Sequence, residues 1–171
     1  MSAPLVTPTD RDVEEIVVDV ADFAVASGDA VLVTAGLGSC VALVLHDPST
    51  GIAGLAHILL PSAGFGPPSI HPAKYADTGV ALLAEEMRRR GASQNRMVAR
   101  LAGGARMFAA LLSSGVNMGH RNIDATRKAL YRLNIPVIAE DVGGEYGRSV
   151  RFVVSTGAMT VRSLVGGDRE L

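Results

Sequence analysis

Cys40 and His57 are the two residues whose chemistry and spacing first suggest a catalytic pair. Cys40 is the only cysteine and follows a Gly-Ser pair, and His57 lies at the end of the next apolar run. A thiol is a good nucleophile once ionised, and a histidine can accept its proton and later give it to a departing amine. The turn sequence "DPSTG" separates the two runs and predicts a β-hairpin. A hairpin can project both side chains from one face, so acyl transfer is one hypothesis.

A third residue is needed to hold the imidazole, and backbone amides are needed to bind an oxyanion. Thr34 lies in the preceding predicted strand and is the candidate for the first role. The connecting sequence "AGLGS" predicts a tight turn with exposed N–H groups, which makes Gly38 and Ser39 candidate oxyanion donors. The residue types alone favour a plainer interpretation, in which Cys40 is a small buried hydrophobe, His57 a satisfied core histidine and Thr34 an ordinary strand residue.

The composition argues against several other classes of function. Acidic and basic residues nearly balance, at 17 against 16, and no dense Lys/Arg run is present, so nucleic acid is not an expected partner. No signal sequence or long apolar segment is recognisable, which predicts a cytoplasmic protein without membrane insertion. One cysteine excludes an internal disulfide. His46, His57, His71 and Cys40 show no zinc-site spacing, so a metal is not expected. The acyl-transfer hypothesis requires no organic cofactor.

The elements predicted from the pattern give a mixed α and β domain. We expect a flexible arm over residues 1–12, a single domain over 13–162 and a C-terminal tail over 163–171, with the last residues "GGDREL" frayed. Apolar runs bounded by turn residues predict strands, and apolar residues at helical spacing predict two helices. The predicted strands are 13–25, "AVLVTAG", the two arms of the hairpin, "IPVIAED", "SVRFVVS" and "AMTVR". The segment "RMVARLAGGARMF" is predicted to be a strand that ends in a glycine turn, followed by an irregular or short helical piece reaching residue 114. The predicted helices are 72–90 and "NIDATRKALYRLN".

Six segments, in order along the chain, together resemble one known family. The sequence is similar to the CheD family, the chemoreceptor glutamine deamidases of bacterial chemotaxis. The matching segments are "GLGSCVALVLHDP" at 36–48, "GLAHILLP" at 54–61, "KYADTGVALLAEEM" at 74–87, "GGARMF" at 103–108, "GHRNIDA" at 119–125 and "IPVIAEDVGGEYGRSVRF" at 135–152.

The resemblance implies specific roles. Cys40 would be the nucleophile, His57 its base and acid, and Thr34 the third member of the triad. The implied fold is α+β, with packed mixed β-sheets flanked by helices, similar to the catalytic domain of the cytotoxic necrotizing factors. The implied substrates are glutamine side chains of methyl-accepting chemotaxis receptors, which become glutamates. Some members of the family also bind the phosphatase CheC. A receptor helix needs a concave surface, and the loops 62–73 and 143–148 are our candidates for its rim.

Three other functions stay open at this point. One is a degenerate member of the family that binds but does not turn over, against which the intact Thr34, Cys40 and His57 argue. A cysteine protease or a transglutaminase-like enzyme would use the same pair on another bond or acceptor. A non-catalytic adaptor would bind receptors or a phosphatase and keep Cys40 inert. Alkylation separates the last case, because a thiolate beside His57 is expected to react faster than a free thiol.

Overall fold

The computed structural model describes residues 13–108 and 115–171, and the described strands form two five-stranded sheets. The first sheet has the order β1-β3-β8-β9-β10 and the second the order β2-β5-β4-β6-β7. Each sheet is mixed, because β1 is parallel to β3 and β6 is parallel to β7 while the other neighbours are antiparallel. The elements are β1 (Glu15–Val17), β2 (Phe23–Ser27), β3 (Val31–Leu37), β4 (Val41–Asp47), β5 (Ile52–Ile58), α1 (Ala76–Arg89), β6 (Val98–Gly103), α2 (Met118–Arg132), β7 (Val137–Val142), β8 (Arg148–Val153), β9 (Ala158–Ser163) and β10 (Gly167–Glu170).

The second sheet is the middle layer of the molecule. One apolar cluster fills the space between the two sheets and contains Phe152, Leu32 and Leu55. Another lies between the second sheet and the helices and contains Leu43 and Leu83. Because β4 and β5 are covered on both faces, every residue in them is buried, which explains why their sequences do not alternate and are apolar apart from His46, Asp47 and His57. The predicted α+β fold, with packed mixed sheets flanked by helices, is confirmed.

The hairpin that carries the candidate pair is also confirmed. Strands β4 and β5 pair antiparallel, from Val41 opposite Ile58 to Asp47 opposite Ile52. Gly51 at the turn has φ 65°, a left-handed conformation that glycine adopts without strain. The carboxylate of Asp47 accepts hydrogen bonds from Arg96 and from the backbone N–H groups of the turn residue Ser49 and of Ser93.

Two predicted boundaries were wrong. The single strand over 13–25 is two strands, β1 and β2, in different sheets, and the chain changes direction at Ala21, whose φ is 66°. Helix α1 begins at Ala76 and not at Pro72, because Tyr75 is extended and the neighbouring backbone bonds to Leu60.

The end of the chain also differs from the expectation of a frayed tail. Residues 167–170 form β10, which pairs with β9 and is charged as an exposed edge strand commonly is. The division of the chain into arm, domain and tail stays a prediction.

The remaining predicted helix and strands are present with small shifts of their ends, including the turn at Gly157. The predicted piece before residue 114 lies partly outside the described residues. No helix among the described residues is long and apolar enough to span a membrane.

Candidate active site

The structure joins Thr34 and His57 across the two sheets. Thr34 lies on β3 of the first sheet and His57 on β5 of the second, and the distance from Thr34 Oγ1 to His57 Nδ1 is 2.8 Å. The Thr34 hydroxyl donates its only hydrogen to the carbonyl oxygen of Val18, at 2.7 Å. It must therefore accept from His57, which places the ring proton on Nδ1 and leaves the lone pair on Nε2.

His57 Nε2 is then the available base, and Cys40 is its neighbour on the same face of the sheet. His57 is opposite Ala42 in the β4–β5 ladder, and Cys40 precedes Ala42 by two residues, so the two side chains are diagonal neighbours. The Nε2 atom is buried and has no hydrogen-bond partner among the described residues. Cys40 is 8% exposed and His57 is fully buried, so the pair lies just beneath the surface.

Burial keeps both partners neutral in the resting protein. It raises the pKa of the Cys40 thiol above its ordinary value, an effect that the residue's own backbone N–H opposes. It also lowers the pKa of His57, against a weaker opposing effect of the Asp19 carboxylate. The sequence-based expectation of a standing thiolate beside His57 is therefore not supported. The arrangement favours a thiol that loses its proton to Nε2 as it attacks.

The carbonyl oxygens of Gly38, Ser39 and Cys40 all accept hydrogen bonds from other parts of the chain. The carbonyl oxygen of Gly38 accepts from Ala105 N–H, that of Ser39 from the Asn122 side chain, and that of Cys40 from Gly104 N–H, each at 2.8 Å. Ser39 and Cys40 lie between β3 and β4, and neither backbone N–H donates a hydrogen bond to another described residue. Both are thus free to bind an oxyanion.

Gly38 does not fit the oxyanion role that the sequence suggested for it. Its N–H donates to the carbonyl oxygen of Gly36 at 3.1 Å, within the irregular end of β3. Thr34 and Leu37 flank a register shift in the β3–β8 pairing, so residues expected to be a loop are the distorted end of a strand. Ser39 stays a candidate donor, and the Cys40 N–H joins it.

Sequence reasoning missed the residues that support this turn from other elements. Gly103, at the end of β6, has φ 104°, and a Cβ built on it would overlap the carbonyl oxygen of Cys40. Asn122 on α2 is fully buried and its amide reaches the backbone of the site. The available signals were the "GGARMF" and "GHRNIDA" segments, whose role in holding Cys40 depends on contacts between distant parts of the chain.

A cavity of about 230 Å³ lies beside the turn, with Ser39 in its lining. Its lining includes Met107, Phe108 and Met118 and is mainly apolar. Phe108 is 66% exposed at its edge. Such a pocket suits the aliphatic stem of a side chain that ends in a polar group.

The two loops proposed as a rim have different attachments. Residues 143–147 bond to the segment beside the turn, through Gly143 N–H to Gly103 O and Arg106 N–H to Gly144 O. The loop 62–73 contacts α2, where the Arg121 guanidinium lies 5.5 Å from the ring centre of Phe65. Their role as a rim stays a prediction.

Within residues 13–108 and 115–171, no group of three or more His, Cys, Asp or Glu side chains is placed to hold a metal ion. The two histidines on the hairpin are separated instead: His46 packs edge-on against Phe152, with ring centres 5.4 Å apart.

The fold is α+β, and the candidate site has a threonine hydrogen-bonded to a histidine, with a cysteine as the diagonal neighbour of that histidine on the same sheet face. The family model "CheD chemotactic sensory transduction" matches residues 59–163. The chain is 43% identical over 151 residues to the probable chemoreceptor glutamine deamidase CheD of Caldanaerobacter subterraneus subsp. tengcongensis, covering 88% of this chain and 93% of that protein. It is 42% identical over 153 residues to the chemoreceptor glutamine deamidase CheD of Thermotoga maritima, covering 90% and 94%. The chain belongs to the CheD family.

The family model begins after the candidate triad, but the pairwise matches include it. A match of 151 residues in a chain of 171 contains positions 34, 40 and 57 wherever it begins. Among solved structures, the hypothetical protein YfiH of Bacillus licheniformis matches with a TM-score of 0.42 and 15% identity, over 70% of this chain and 49% of that one.

Proposed function

We propose that this protein deamidates glutamine side chains of methyl-accepting chemotaxis receptors, converting them to glutamates with release of ammonia. The proposal is supported by membership of the CheD family, whose curated members are named chemoreceptor glutamine deamidases. The single structural observation that carries it is the hydrogen bond between Thr34 Oγ1 and His57 Nδ1, because it leaves the other ring nitrogen free to act as a base.

The proposed reaction has two halves that use the same pair. The thiol proton passes to His57 Nε2 as Cys40 Sγ attacks the carboxamide carbon, and the carbonyl oxygen becomes an oxyanion held by the N–H groups of Ser39 and Cys40. Collapse of this intermediate breaks the carbon–nitrogen bond, and His57 gives its proton to the departing ammonia. Water then attacks the thioester while His57 takes a proton, and the second collapse frees glutamate and returns the proton to the thiol.

The partners follow from the same proposal. The substrate is the cytoplasmic helical domain of a receptor, which places the protein in the cytoplasm. One glutamine side chain would enter the cavity beside Ser39, between the loops 62–73 and 143–148. A CheC-type phosphatase is a further proposed partner. No metal or organic cofactor takes part in the proposed steps.

Mass spectrometry of receptor cytoplasmic fragments tests the proposal. Fragments are incubated with the wild-type protein, with Cys40→Ala and with Cys40→Ser. We expect conversion of glutamine to glutamate, a gain of about one mass unit with the backbone intact, only with the wild type.

Other products would identify other functions. Peptide cleavage would indicate a protease, and crosslinked chains a transglutaminase-like enzyme. Binding of the fragment with equal, background conversion by all three proteins would indicate an adaptor and refute the proposed reaction.

A further inference from the structure

Asn122 is a buried amide that reaches from α2 to the backbone of both halves of the site. Its side chain is fully buried, and Nδ2 donates to the carbonyl oxygen of Ser39 at 2.8 Å and to that of Leu59 at 3.0 Å. These carbonyls belong to the residue directly before Cys40 and to the second residue after His57. The amide orientation is fixed, because a flipped side chain would set Oδ1 against two carbonyl oxygens.

From this geometry we infer that Asn122 is a positioning residue that aims the Cys40 N–H at the oxyanion, an inference that rests on the proposed function. The Ser39–Cys40 peptide is planar, and the described residues contain no cis peptide bond. The carbonyl and the N–H of a trans peptide point in opposite directions. Because Asn122 holds the Ser39 carbonyl toward α2, the Cys40 N–H is directed away from α2.

The Cys40 N–H is directed toward the side of the peptide where the thiol would attack the substrate. The N–H and the sulfur of Cys40 belong to one residue and are therefore close together, and the N–H opposes the rise in the thiol pKa that burial causes. In the tetrahedral intermediate, the sulfur and the oxyanion are bonded to the same carbon. An amide N–H close to the sulfur is therefore also close to the oxyanion. A donor fixed in advance stabilises the developing charge without reorganising.

Burying the Asn122 amide lowers the stability of the fold, which supports a specific role for this residue. Asn122 Oδ1 is buried and has no hydrogen-bond partner among the described residues. An unpaired buried acceptor is unfavourable, and an apolar side chain of similar size would avoid it. The amide therefore contributes through its two N–H groups, and both of these act on the backbone beside Cys40 and His57.

Two reactions of Cys40 Sγ distinguish two roles for Asn122. In one role it aims the oxyanion donor, and in the other it only supports the structure of the site. Acylation of Cys40 by p-nitrophenyl acetate passes through a tetrahedral oxyanion, whereas alkylation by iodoacetamide displaces iodide and forms none. Both need the thiolate. The ratio of the two rates therefore reports on the oxyanion donor alone, with Cys40→Ala as the blank.

We expect Asn122→Leu to lower the acylation rate by about 10²-fold, as loss of one oxyanion donor does in other enzymes. Alkylation should change only as far as the Cys40 N–H affects the pKa of the thiol, so the ratio of acylation to alkylation should fall. Asn122→Ser, which keeps one donor in a smaller side chain, should lie between them and carries the test if the leucine variant does not fold. Thr126→Val is the matched control, because Thr126 is also fully buried on α2 but bonds only within the helix, to the Asn122 carbonyl. It should leave the ratio unchanged.

Three results would overturn the inference: an unchanged ratio in folded Asn122 variants, a parallel fall of both rates, or a wild type that is not acylated above the blank. The proposed function fails separately. A wild type that is acylated but deamidates no receptor glutamine would refute the substrate and leave the role of Asn122 standing.

Discussion

Replacing Thr34 by valine tests whether the hydroxyl on β3 controls the imidazole on β5. Valine has nearly the same shape but can neither donate nor accept a hydrogen bond. The change removes the acceptor of His57 Nδ1–H and the donor to Val18 O, at 2.8 and 2.7 Å. Thr34 is 2% exposed and His57 is fully buried, so water cannot readily replace the lost hydroxyl.

The expected effect on catalysis follows from the charge that His57 gains. When the ring accepts the thiol proton, its bond to Thr34 Oγ1 becomes a hydrogen bond from a cation, worth about 1.5–3 kcal/mol. At about 1.4 kcal/mol per tenfold, we expect kcat to fall by about 10- to 150-fold. The fold should also lose stability, since each of the two unpaired buried groups costs about 1–3 kcal/mol.

The assay is the rate of glutamine conversion on a receptor fragment, with stability measured by urea unfolding. Thr34→Ser is the control, because it keeps the hydroxyl and loses only a methyl group. Serine should retain most of the wild-type kcat. A folded Thr34→Val variant with wild-type kcat, or a serine variant as slow as the valine variant, would refute this account of the imidazole.

Three further predictions concern the support of the site and its response to pH. Gly103→Ala should abolish activity and destabilise the fold in urea, because the new Cβ would overlap the Cys40 carbonyl oxygen. The control is Gly28→Ala, which is also at positive φ but in open space. It should keep activity and lose only about 1–2 kcal/mol of stability through backbone strain. Burial would raise the pKa of Asp47, but hydrogen bonds led by Arg96 lower it from 3.8 to about 2. Its contribution of about 2 kcal/mol is therefore complete above the unfolded pKa and is lost as pH falls toward 2, and Arg96→Ala should reduce this loss in acid unfolding curves. Because burial raises the pKa of Cys40, iodoacetamide should alkylate it more slowly at neutral pH than it alkylates a free thiol. The alkylation rate should continue to rise with pH beyond the range in which ordinary thiols ionise. A rate that reaches a plateau near neutral pH would contradict a neutral thiol and imidazole in the resting protein.

The local elements of the site could be predicted because their signals lie within short segments. The turn between β4 and β5 is encoded by Pro48 and Gly51, and its antiparallel pairing places Cys40 and His57 on one face. The apolar spacing of α2 likewise determined a helix against the sheet.

The boundaries that failed depend on partners far along the chain. Nothing local in residues 13–25 indicates that β1 pairs with β3 while β2 pairs with β5 in the other sheet. Tyr75 is extended because of its neighbours' bonds to Leu60, and β10 is a strand because β9 offers it an edge. Propensity and periodicity describe a segment's own preferences and not the surface it meets.

By itself, then, the sequence determined which atoms could do the chemistry, a thiol and an imidazole on adjacent strands. Tertiary structure decided how they are held. Thr34 meets His57 only because the two sheets pack face to face, and Asn122 meets Ser39 only because α2 covers the second sheet. A hydrogen bond needs its two atoms within about 3 Å, and residues separated by tens of positions reach that distance only after the layers have packed.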